Sequence, residues 1–413
     1  MPLAAHRLLL ALLAFAALLG GCATVPPPSA LFNYAEGARA VAPEERAVFN
    51  ARVFDQAADW VARRYYDPTL NGADWSAARA RHRPEALAAT TDAELYAALN
   101  ALLDELRDEH TCALSPAEVD QYRNRRSALL GFRTGPLPEP PHARRILAVF
   151  PGSAADRAGV RPGWILLAAD DRPPGEVLGV GKLTAGQLVR CDFLDAAGQP
   201  RRLELRASRI EYPPVRDARR LDDGVLVLAF DSFDLSAARW MRAELKRERP
   251  AGLILDLRDN VGGEARALAA ILAEIFPGRA PIGGIRARQS AEASARRSPR
   301  HFLAAHYSGP LAVLVSERSA SAAEILAAIV QHEKRGAVVG TATPGNVLVC
   351  VRWPLPGGGE LQLSVYDYVG PDGRRLEGRG ITPDVPVAAA PGAEPDPQLE
   401  AARAALGAGD GAR

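Results

Sequence analysis

Three short apolar runs, each followed by a segment of helical character, constrain the fold of this chain more than any other feature. The runs are "GVLVLAF" (224–230), "AGLILDL" (251–257) and "LAVLVSE" (311–317). Their length and their lack of polar alternation are typical of strands buried on both faces of a sheet. Helical stretches follow at 236–248, 264–276 and 322–334. Strands that alternate with helices predict an α/β core, which we place at residues 211–390.

The residues before and after this core differ from it in composition and in predicted secondary structure. Residues 44–128 contain two amphipathic segments, 44–66 and 90–111, and predict a helical N-terminal domain. Residues 129–210 consist of short β-like runs between Gly/Pro turns and predict a compact β-rich module. The Ala/Gly/Pro/Asp-rich residues 391–413 predict a disordered tail. The predicted fold class is therefore α/β and multidomain.

The first residues have the pattern of an export signal. Arg7 precedes the apolar run "LLLALLAFAALL" (8–19), which has the length of a signal-peptide core. "LGGC" then matches the pattern of a bacterial lipoprotein cleavage site, with an ordinary secretory signal as the alternative. The lipoprotein interpretation gives a signal peptide over 1–21, a lipid on Cys22 and a Pro-stiffened tether over 22–43. Because no Asp follows the cysteine, we expect an outer-membrane lipoprotein that faces the periplasm.

Composition excludes several classes of partner and cofactor. The formal net charge is +1, so there is no electrostatic case for a nucleic-acid partner. Beyond Cys22 the chain has Cys112, Cys191 and Cys350, which allow at most one disulfide and have no metal-ligand spacing. Because phosphate-loop and His-Glu-x-x-His motifs are also absent from the sequence, we expect neither a metal nor an organic cofactor.

The segment "VFPGSAADRAGVRPGWILLAADDRPP" (149–174) resembles the signature of PDZ domains. The turn "LLGF" (129–132) lies upstream, where these domains bind the terminal carboxylate of a peptide. The resemblance implies that Leu130, Gly131 and Phe132 present backbone amides to that carboxylate, while a sheet edge accepts the peptide as a strand. The alternative is a PDZ-like fold that binds nothing.

Two further segments carry the residues needed for acyl transfer. In "LVSERSASAAEILAAIV" (314–330), Ser321 follows a buried strand and starts a helix, where the helix N-terminus favours negative charge. In "GLILDLRDNVGGEARAL" (252–268), a Gly-Gly turn leads from a strand into a helix and can offer amides to an oxyanion. Taken alone, the first segment is better explained if Ser319 or Ser321 is an N-cap, and the second is explained by a tight turn.

The order of all these motifs resembles the carboxyl-terminal processing, or tail-specific, serine proteases over nearly all of residues 45–388. The series ends with "LRDEHTCALSP" (106–116) before the PDZ-like segment and "EGRGITPD" (377–384) after the serine. The resemblance implies a helical domain, a PDZ domain and a βα core of the ClpP/crotonase type. It implies that Ser321 is the nucleophile. Ala322 and either Gly262 or Gly263 then supply the oxyanion-hole amides.

One position departs from the bacterial members of this family, which use a Ser–Lys dyad. Asn346 stands where the resemblance places the lysine, and Cys350 stands where it places a supporting glutamine. An amide cannot act as a general base. The lysines of the chain are Lys182, Lys246 and Lys334, and none is placed to replace it.

A histidine offers another base. In the tricorn-like branch of the family, the resemblance gives His110 the role of base and Glu377 the role of its acidic partner. Ser321, His110 and Glu377 then form a complete nucleophile, base and carboxylate set. The alternative is that His110 is structural.

Two functions are consistent with these residues and motifs. The first is a lipid-anchored periplasmic serine endopeptidase that cleaves proteins or peptides near C-termini recruited by the PDZ domain. The second is a catalytically inactive family member that binds protein termini as an adaptor in the cell envelope.

Overall fold

The computed structural model describes residues 42–137, 142–179, 182–288, 290, 293–297, 307–390 and 395–408. The predicted signal peptide, the lipidation site Cys22 and all but the last two residues of the predicted tether lie outside the described residues. Within these ranges, each helix lacks the length or the apolar character that crossing a membrane requires.

The helices are α1 Arg46–Arg64, α2 Trp75–Ala88, α3 Asp92–Asp104, α4 Pro116–Asn124, α5 Ala154–Arg157, α6 Pro174–Val177, α7 Leu235–Glu248, α8 Ala265–Ile275, α9 Ala322–His332 and α10 Pro397–Ala408. Single 3₁₀ turns are formed by Pro43–Glu45, Leu70–Gly72 and Pro356–Gly358.

The strands are β1 Cys112–Leu114, β2 Arg126–Leu129, β3 Phe132–Pro136, β4 Arg144–Val149, β5 Ile165–Ala169, β6 Leu188–Leu194, β7 Pro200–Arg206, β8 Ser208–Glu211, β9 Arg216–Arg220, β10 Val225–Phe230, β11 Gly252–Asp256, β12 Pro281–Ala287, β13 Ser294–Arg297, β14 Leu311–Val315, β15 Ala337–Gly340, β16 Val349–Pro354, β17 Glu360–Val369 and β18 Val385–Pro386. The chain divides into two compact units, which are described separately. The first contains the described residues up to 116, of 216–386 and from 405, and the second contains those of 117–215 and 387–404.

The first unit contains the predicted α/β core. Its six-stranded sheet has the order β18-β15-β14-β11-β10-β9, and all neighbours are parallel except the edge strand β9. The residues of β14 are fully buried because α7, α8 and α9 cover the sheet with an apolar core. Asp256 on β11 pairs with Leu314 on β14, so the turns that follow these two strands leave the sheet side by side.

A second sheet of the first unit packs against the N-terminal helices. Here β17 pairs with β1, β12 and β16, and β16 and β17 form an antiparallel hairpin. Phe54 and Leu99 of the helices share one apolar cluster with Trp353, Leu361 and Leu363 of this hairpin. The helices at 46–104 therefore complete the core of this sheet.

The second unit is rich in β-structure. Its main sheet is antiparallel, with the order β3-β4-β5-β6-β7, and β2 pairs with β8 beside it. Ile146, Leu166, Val189, Phe193 and Leu205 fill its core. The prediction of a multidomain α/β chain with N-terminal helices and a β-rich region is confirmed.

The tail differs from the prediction of disorder over 391–413. Residues 397–408 form α10, and Leu399, Ala402 and Leu406 lie on its buried face. A Cβ atom on Gly252 would lie 2.9 Å from Leu406, so this end of the helix packs closely on β11. The Ala/Gly-rich composition masked an apolar face that becomes stable only by packing.

Candidate active site

Ser321 lies at the first turn of α9 in a strained backbone conformation. Its φ is +54° and its ψ is −116°, a region that residues with a side chain rarely adopt. Two backbone interactions hold it there. Its amide donates to the carbonyl of Asn346 at 2.8 Å and to the carboxylate of Glu324 at 3.1 Å. Ser319 has a different task, because its buried hydroxyl donates to the carbonyl of Leu257 at 2.8 Å.

Glu324 connects the turn of residues 343–348 with Ser321 through hydrogen bonds. Its side chain is fully buried and accepts hydrogen bonds from the Thr343 hydroxyl at 2.6 Å and from the amides of Gly345 and Asn346 at 2.7 and 2.8 Å. Burial raises the pKa of Glu324, although these hydrogen bonds oppose that effect. The strained backbone of Ser321 is thus fixed by a carboxylate that satisfies several donors at once.

The Gly-Gly turn after β11 lies directly against Ser321. The amide of Gly262 donates to the side chain of Asn260 at 2.9 Å, so it cannot also serve a substrate oxyanion. The amides of Gly263 and Ala322 have no acceptor among the described residues. Of the two glycines that the sequence offers as alternatives, the geometry therefore favours Gly263.

Position 262 requires glycine because there is no room for a side chain next to Ser321. Its φ is +91°, and a Cβ atom there would lie 2.5 Å from the Cβ of Ser321. Gly262→Ala should displace Ser321 and lower kcat by about 10²-fold, the typical result of misplacing a catalytic group by an ångström. The control is Gly278→Ala, whose Cβ would meet nothing within 4 Å. Equal kcat values for the two variants, measured on a peptide substrate, would contradict this packing argument.

His110 and Glu377 form a close pair next to the 343–348 turn. His110 Nε2 lies 3.4 Å from Glu377 Oε1, and their side chains are 14% and 17% exposed. The second oxygen of Glu377 accepts hydrogen bonds from the amides of Val347 and Leu348 at 2.8 and 3.0 Å. The geometry at Nε2 does not meet the criteria for a hydrogen bond to Glu377, so the two side chains interact as an ion pair.

The backbone of His110 is fixed on both sides. Its amide donates to Asp108 at 2.8 Å, and its carbonyl accepts from the Gln362 side chain at 2.8 Å. Asp108 also accepts from the Thr111 hydroxyl at 2.7 Å, so one carboxylate orders the whole "DEHT" turn. The imidazole is therefore presented from a rigid turn between α3 and β1.

The charge state of His110 follows from its neighbours. Burial alone would lower the pKa of the imidazole, but its interactions with the Cys350 thiol and the Glu377 carboxylate outweigh burial and raise that pKa to about 10. The protonated imidazolium is therefore the resting form at neutral pH. Among the described residues no hydrogen bond joins His110 to Ser321. The 343–348 turn contacts both Ser321 and Glu377, and Glu377 faces His110, so the structure links Ser321 and His110 through this turn and not directly.

Two known protein families match separate parts of the chain. The model for peptidase family S41 matches residues 224–387, which include the Gly-Gly turn, Ser321, Asn346 and Glu377. The model for the tricorn protease C1 domain matches residues 50–104, which cover helices α1 to α3. Residues 224–387 of the chain are therefore similar to peptidase family S41. The predicted resemblance to carboxyl-terminal processing proteases, and the prediction of a serine-type peptidase of that family, are confirmed.

The similarity to known proteins and solved structures extends over most of the chain. A chloroplastic C-terminal processing peptidase of Tetradesmus obliquus is 27% identical over 384 residues, covering 84% of this chain and 79% of its own. The photosystem II D1 C-terminal processing protease has a TM-score of 0.50 at 23% identity, covering 82% and 93%. A lipoprotein from Streptococcus agalactiae has a TM-score of 0.55 at 14% identity, covering 90% and 99%. The two structures share the fold of this chain.

Two positions distinguish this chain from the dyad enzymes that it resembles. Asn346, which the resemblance places at the lysine position, adjoins Ser321, since the two residues are joined by a backbone hydrogen bond. Cys350 has its sulfur 3.9 Å from the carbonyl oxygen of His110. Both departures thus lie in the cluster of residues around the 343–348 turn.

The predicted carboxylate loop lies in the second unit. Gly131 has a φ of +101°, and its carbonyl accepts hydrogen bonds from the Phe150 amide at 2.8 Å and the Ser153 hydroxyl at 3.1 Å. Leu130 is buried, and Phe132 begins β3 at the edge of the sheet. The loop is therefore held in shape by the turn that starts α5.

Two residues that position the site were not predicted from the sequence. Asn260 is fully buried and connects the Gly-Gly turn with the carbonyl of Phe230, at 2.8 Å, and with the amide of Ala320, at 3.0 Å. Asp108 orders the His110 turn. The only sequence feature that could have indicated them is a short polar residue in each turn. Such residues are common in turns of any function, so this feature does not identify a site.

Proposed function

We propose that this protein is an endopeptidase of family S41 that cleaves proteins or peptides near their C-termini with Ser321, His110 and Glu377. The observation that carries the proposal is the 343–348 turn. One end of this turn holds the backbone of Ser321 through Asn346, and the other holds the carboxylate that faces His110. One element therefore holds both the nucleophile and the acidic partner of the base.

In the proposed reaction, Ser321 Oγ attacks the scissile carbonyl and gives its proton to neutral His110. The amides of Gly263 and Ala322 stabilise the oxyanion of the tetrahedral intermediate. His110 then protonates the leaving amine, and the acyl-enzyme is hydrolysed by water in the same sequence of proton transfers. Glu377 stabilises the imidazolium that forms in each half of the reaction.

The proton transfer needs a closer approach than the structure contains. Catalytic hydrogen bonds are often long or misaligned before substrate binds, and they tighten in the substrate complex. Rotation of the imidazole or one bridging water molecule supplies the missing connection in this proposal. His110 must also lose its resting proton, which makes the activity depend strongly on pH.

The proposed substrate is a polypeptide with a free C-terminus. The motif resemblance and the C-terminal processing activity of the Tetradesmus relative support it. We assign residues 129–210 as a PDZ domain, whose Leu130–Phe132 loop receives the terminal carboxylate. We assign residues 211–390 as a ClpP/crotonase-like core.

We also propose that the mature chain is lipidated at Cys22 and faces the periplasm from the outer membrane. The "LGGC" pattern supports the lipid. Cys22→Ser should abolish incorporation of radiolabelled palmitate and release the protein from the membrane fraction. Unchanged incorporation would contradict this assignment.

A second candidate is a catalytically inactive binding protein. Asn346 at the lysine position and the raised pKa of His110 favour it, because neither group is a base at neutral pH. In this case the PDZ domain and the groove beside Ser321 would hold protein termini without cleaving them.

A cleavage experiment separates the two candidates. The purified protein and its Ser321→Ala variant are incubated with an unstructured polypeptide that has either a free or an amidated C-terminus, and products are identified by mass spectrometry. Cleavage near the free terminus by the wild type alone supports the endopeptidase. Retention of intact polypeptide with measurable binding to both proteins supports the adaptor and overturns the first proposal.

A further inference from the structure

The turn that carries His110 joins the second sheet of the first unit beside a glutamine of β17. Strand β1 begins at Cys112, shortly after His110, and Cys112 pairs with Gln362. On the other side of β17, Gln362 pairs with Arg352 of β16. Directly opposed residues of antiparallel strands project from the same face of a sheet. The register therefore places the Gln362 side chain between Arg352 and the turn that contains His110.

The half-buried Gln362 side chain makes hydrogen bonds at both ends of its amide. Its Oε1 accepts from Nε of Arg352 at 3.1 Å and from a terminal nitrogen of the same guanidinium at 2.9 Å. Its Nε2 donates to the backbone carbonyl of His110 at 2.8 Å. A continuous series of hydrogen bonds thus runs from Arg352 to the backbone of the candidate base.

Arg352 determines which way the Gln362 amide points. A guanidinium only donates hydrogen bonds, so the amide oxygen has to face it and the NH₂ group is left for the His110 carbonyl. The opposite orientation would place donors against donors and oxygen against oxygen. The guanidinium is itself held by Glu360, which is only 2% exposed and whose Oε2 lies 4.0 Å from a terminal nitrogen of Arg352. Removing one partner of such a buried ion pair is unfavourable, so the orientation is strongly defined.

We propose that Arg352 and Gln362 are positioning residues for the peptidase reaction, in which Arg352 orients Gln362 and the Gln362 amide holds His110 beside Glu377. This role rests on the proposed function of His110 as the base. Neither side chain touches the substrate or the transferred proton. Because Asp108 binds the His110 amide and Gln362 binds its carbonyl, both peptide groups of His110 are fixed. Losing one of these bonds lets the imidazole shift, and a shift of about an ångström costs up to about 10²-fold in rate.

The kinetic test removes the two bonds separately and together. Gln362→Met keeps the length of the side chain and should lower kcat about tenfold with little change in KM. Arg352→Met should have a similar effect. The double variant should be no slower than Gln362→Met alone, because the arginine is proposed to act through the glutamine. Arg352→Lys retains a donor for Gln362 Oε1 and should recover part of the lost kcat.

A matched control separates positioning from stability. Gln398 of the second unit is 2% exposed, and its amide donates to the carbonyl of Val387 at 2.9 Å. Gln398→Met removes the same kind of hydrogen bond away from His110 and should retain the kcat of the wild type, whatever its thermal unfolding temperature. A folded Gln362→Met protein with wild-type kcat, or a double variant that is slower than Gln362→Met, would overturn the proposal.

A second measurement does not require peptidase activity. The ring signals of ¹³C-labelled histidine are titrated in the wild type, Gln362→Met and Gln398→Met, and the His110 signal is the one missing from His110→Ala. Burial lowers the pKa of the His110 imidazole, whereas the Cys350 thiol and the Glu377 carboxylate raise it. A shift away from these two groups should therefore lower the titration midpoint in Gln362→Met by about one pH unit.

This titration distinguishes failure of the positioning role from failure of the proposed function. An unchanged His110 midpoint in Gln362→Met would overturn the proposal whether or not the protein cleaves peptides. A lowered midpoint in a protein without peptidase activity would support the positioning of His110 and contradict only the proposed function.

Discussion

His110→Ala should lower kcat by about 10²–10⁴-fold, the usual contribution of a general acid–base group. Asn346 cannot take over proton transfer, and the backbone bonds that hold Ser321 do not involve the imidazole. The substrate KM should change little because His110 is proposed to act on protons and not in binding. The measurement is steady-state kinetics on a cleaved peptide.

A matched control separates catalysis from stability. His82 is half-buried and lies 3.2 Å from Glu105, much as His110 lies beside Glu377. His82→Ala should retain the kcat of the wild type, and thermal unfolding shows whether either variant is destabilised. A folded His110→Ala protein with wild-type kcat would show that His110 is structural.

The pH dependence of activity should be unusually steep and displaced to high pH. Because the pKa of His110 is about 10, only a small fraction is neutral at pH 7. The value of kcat/KM should therefore rise about tenfold per pH unit above neutrality and level off near the pKa of the imidazole. Glu377→Gln removes one of the interactions that raise this pKa, so the rise should occur at lower pH.

The free energy of unfolding should fall as pH rises, whereas the activity should increase. Folding raises the pKa of His110 above its ordinary value of 6.5, so folding favours the protonated form. This contribution to the free energy of unfolding is complete below pH 6.5 and is lost as pH rises toward 10. An activity profile that is flat above neutrality, or that has the same midpoint in Glu377→Gln, would contradict the proposed role of the pair.

The sequence predicted those parts of the fold whose signal is local. The strands β10, β11 and β14 are continuous apolar runs, and the β16–β17 hairpin flanks a Gly-rich turn, so both could be predicted directly. Helix α2 was not predicted because "WSAARARHRPEALA" contains Pro84 and has only Trp75 and Leu87 as large apolar residues. It packs against neighbouring elements through Trp75, Ala78 and Ala86. These neighbours lie outside the segment, so the segment alone does not indicate the helix.

The residues of the candidate site could be predicted from the sequence, but their arrangement in space could not. Only the resemblance to a family could pair His110 with Glu377, because no spacing rule connects residues so distant in sequence. That Gly262 donates to Asn260, leaving Gly263 for substrate, depends on the conformation of one turn. The orientation of His110 Nε2 toward Glu377 and the proximity of Cys350 likewise arise from tertiary packing.

Reaction with a fluorophosphonate probe tests most directly whether Ser321 is a nucleophile activated by His110 despite the missing lysine. The wild type is compared with Ser321→Ala, His110→Ala and Asn346→Lys at about pH 9, where part of His110 is neutral because its pKa is about 10. We predict labelling of the wild type that is lost in both Ser321→Ala and His110→Ala. An unlabelled wild type, with labelling gained in Asn346→Lys, would contradict the proposed activation and identify a disarmed dyad enzyme.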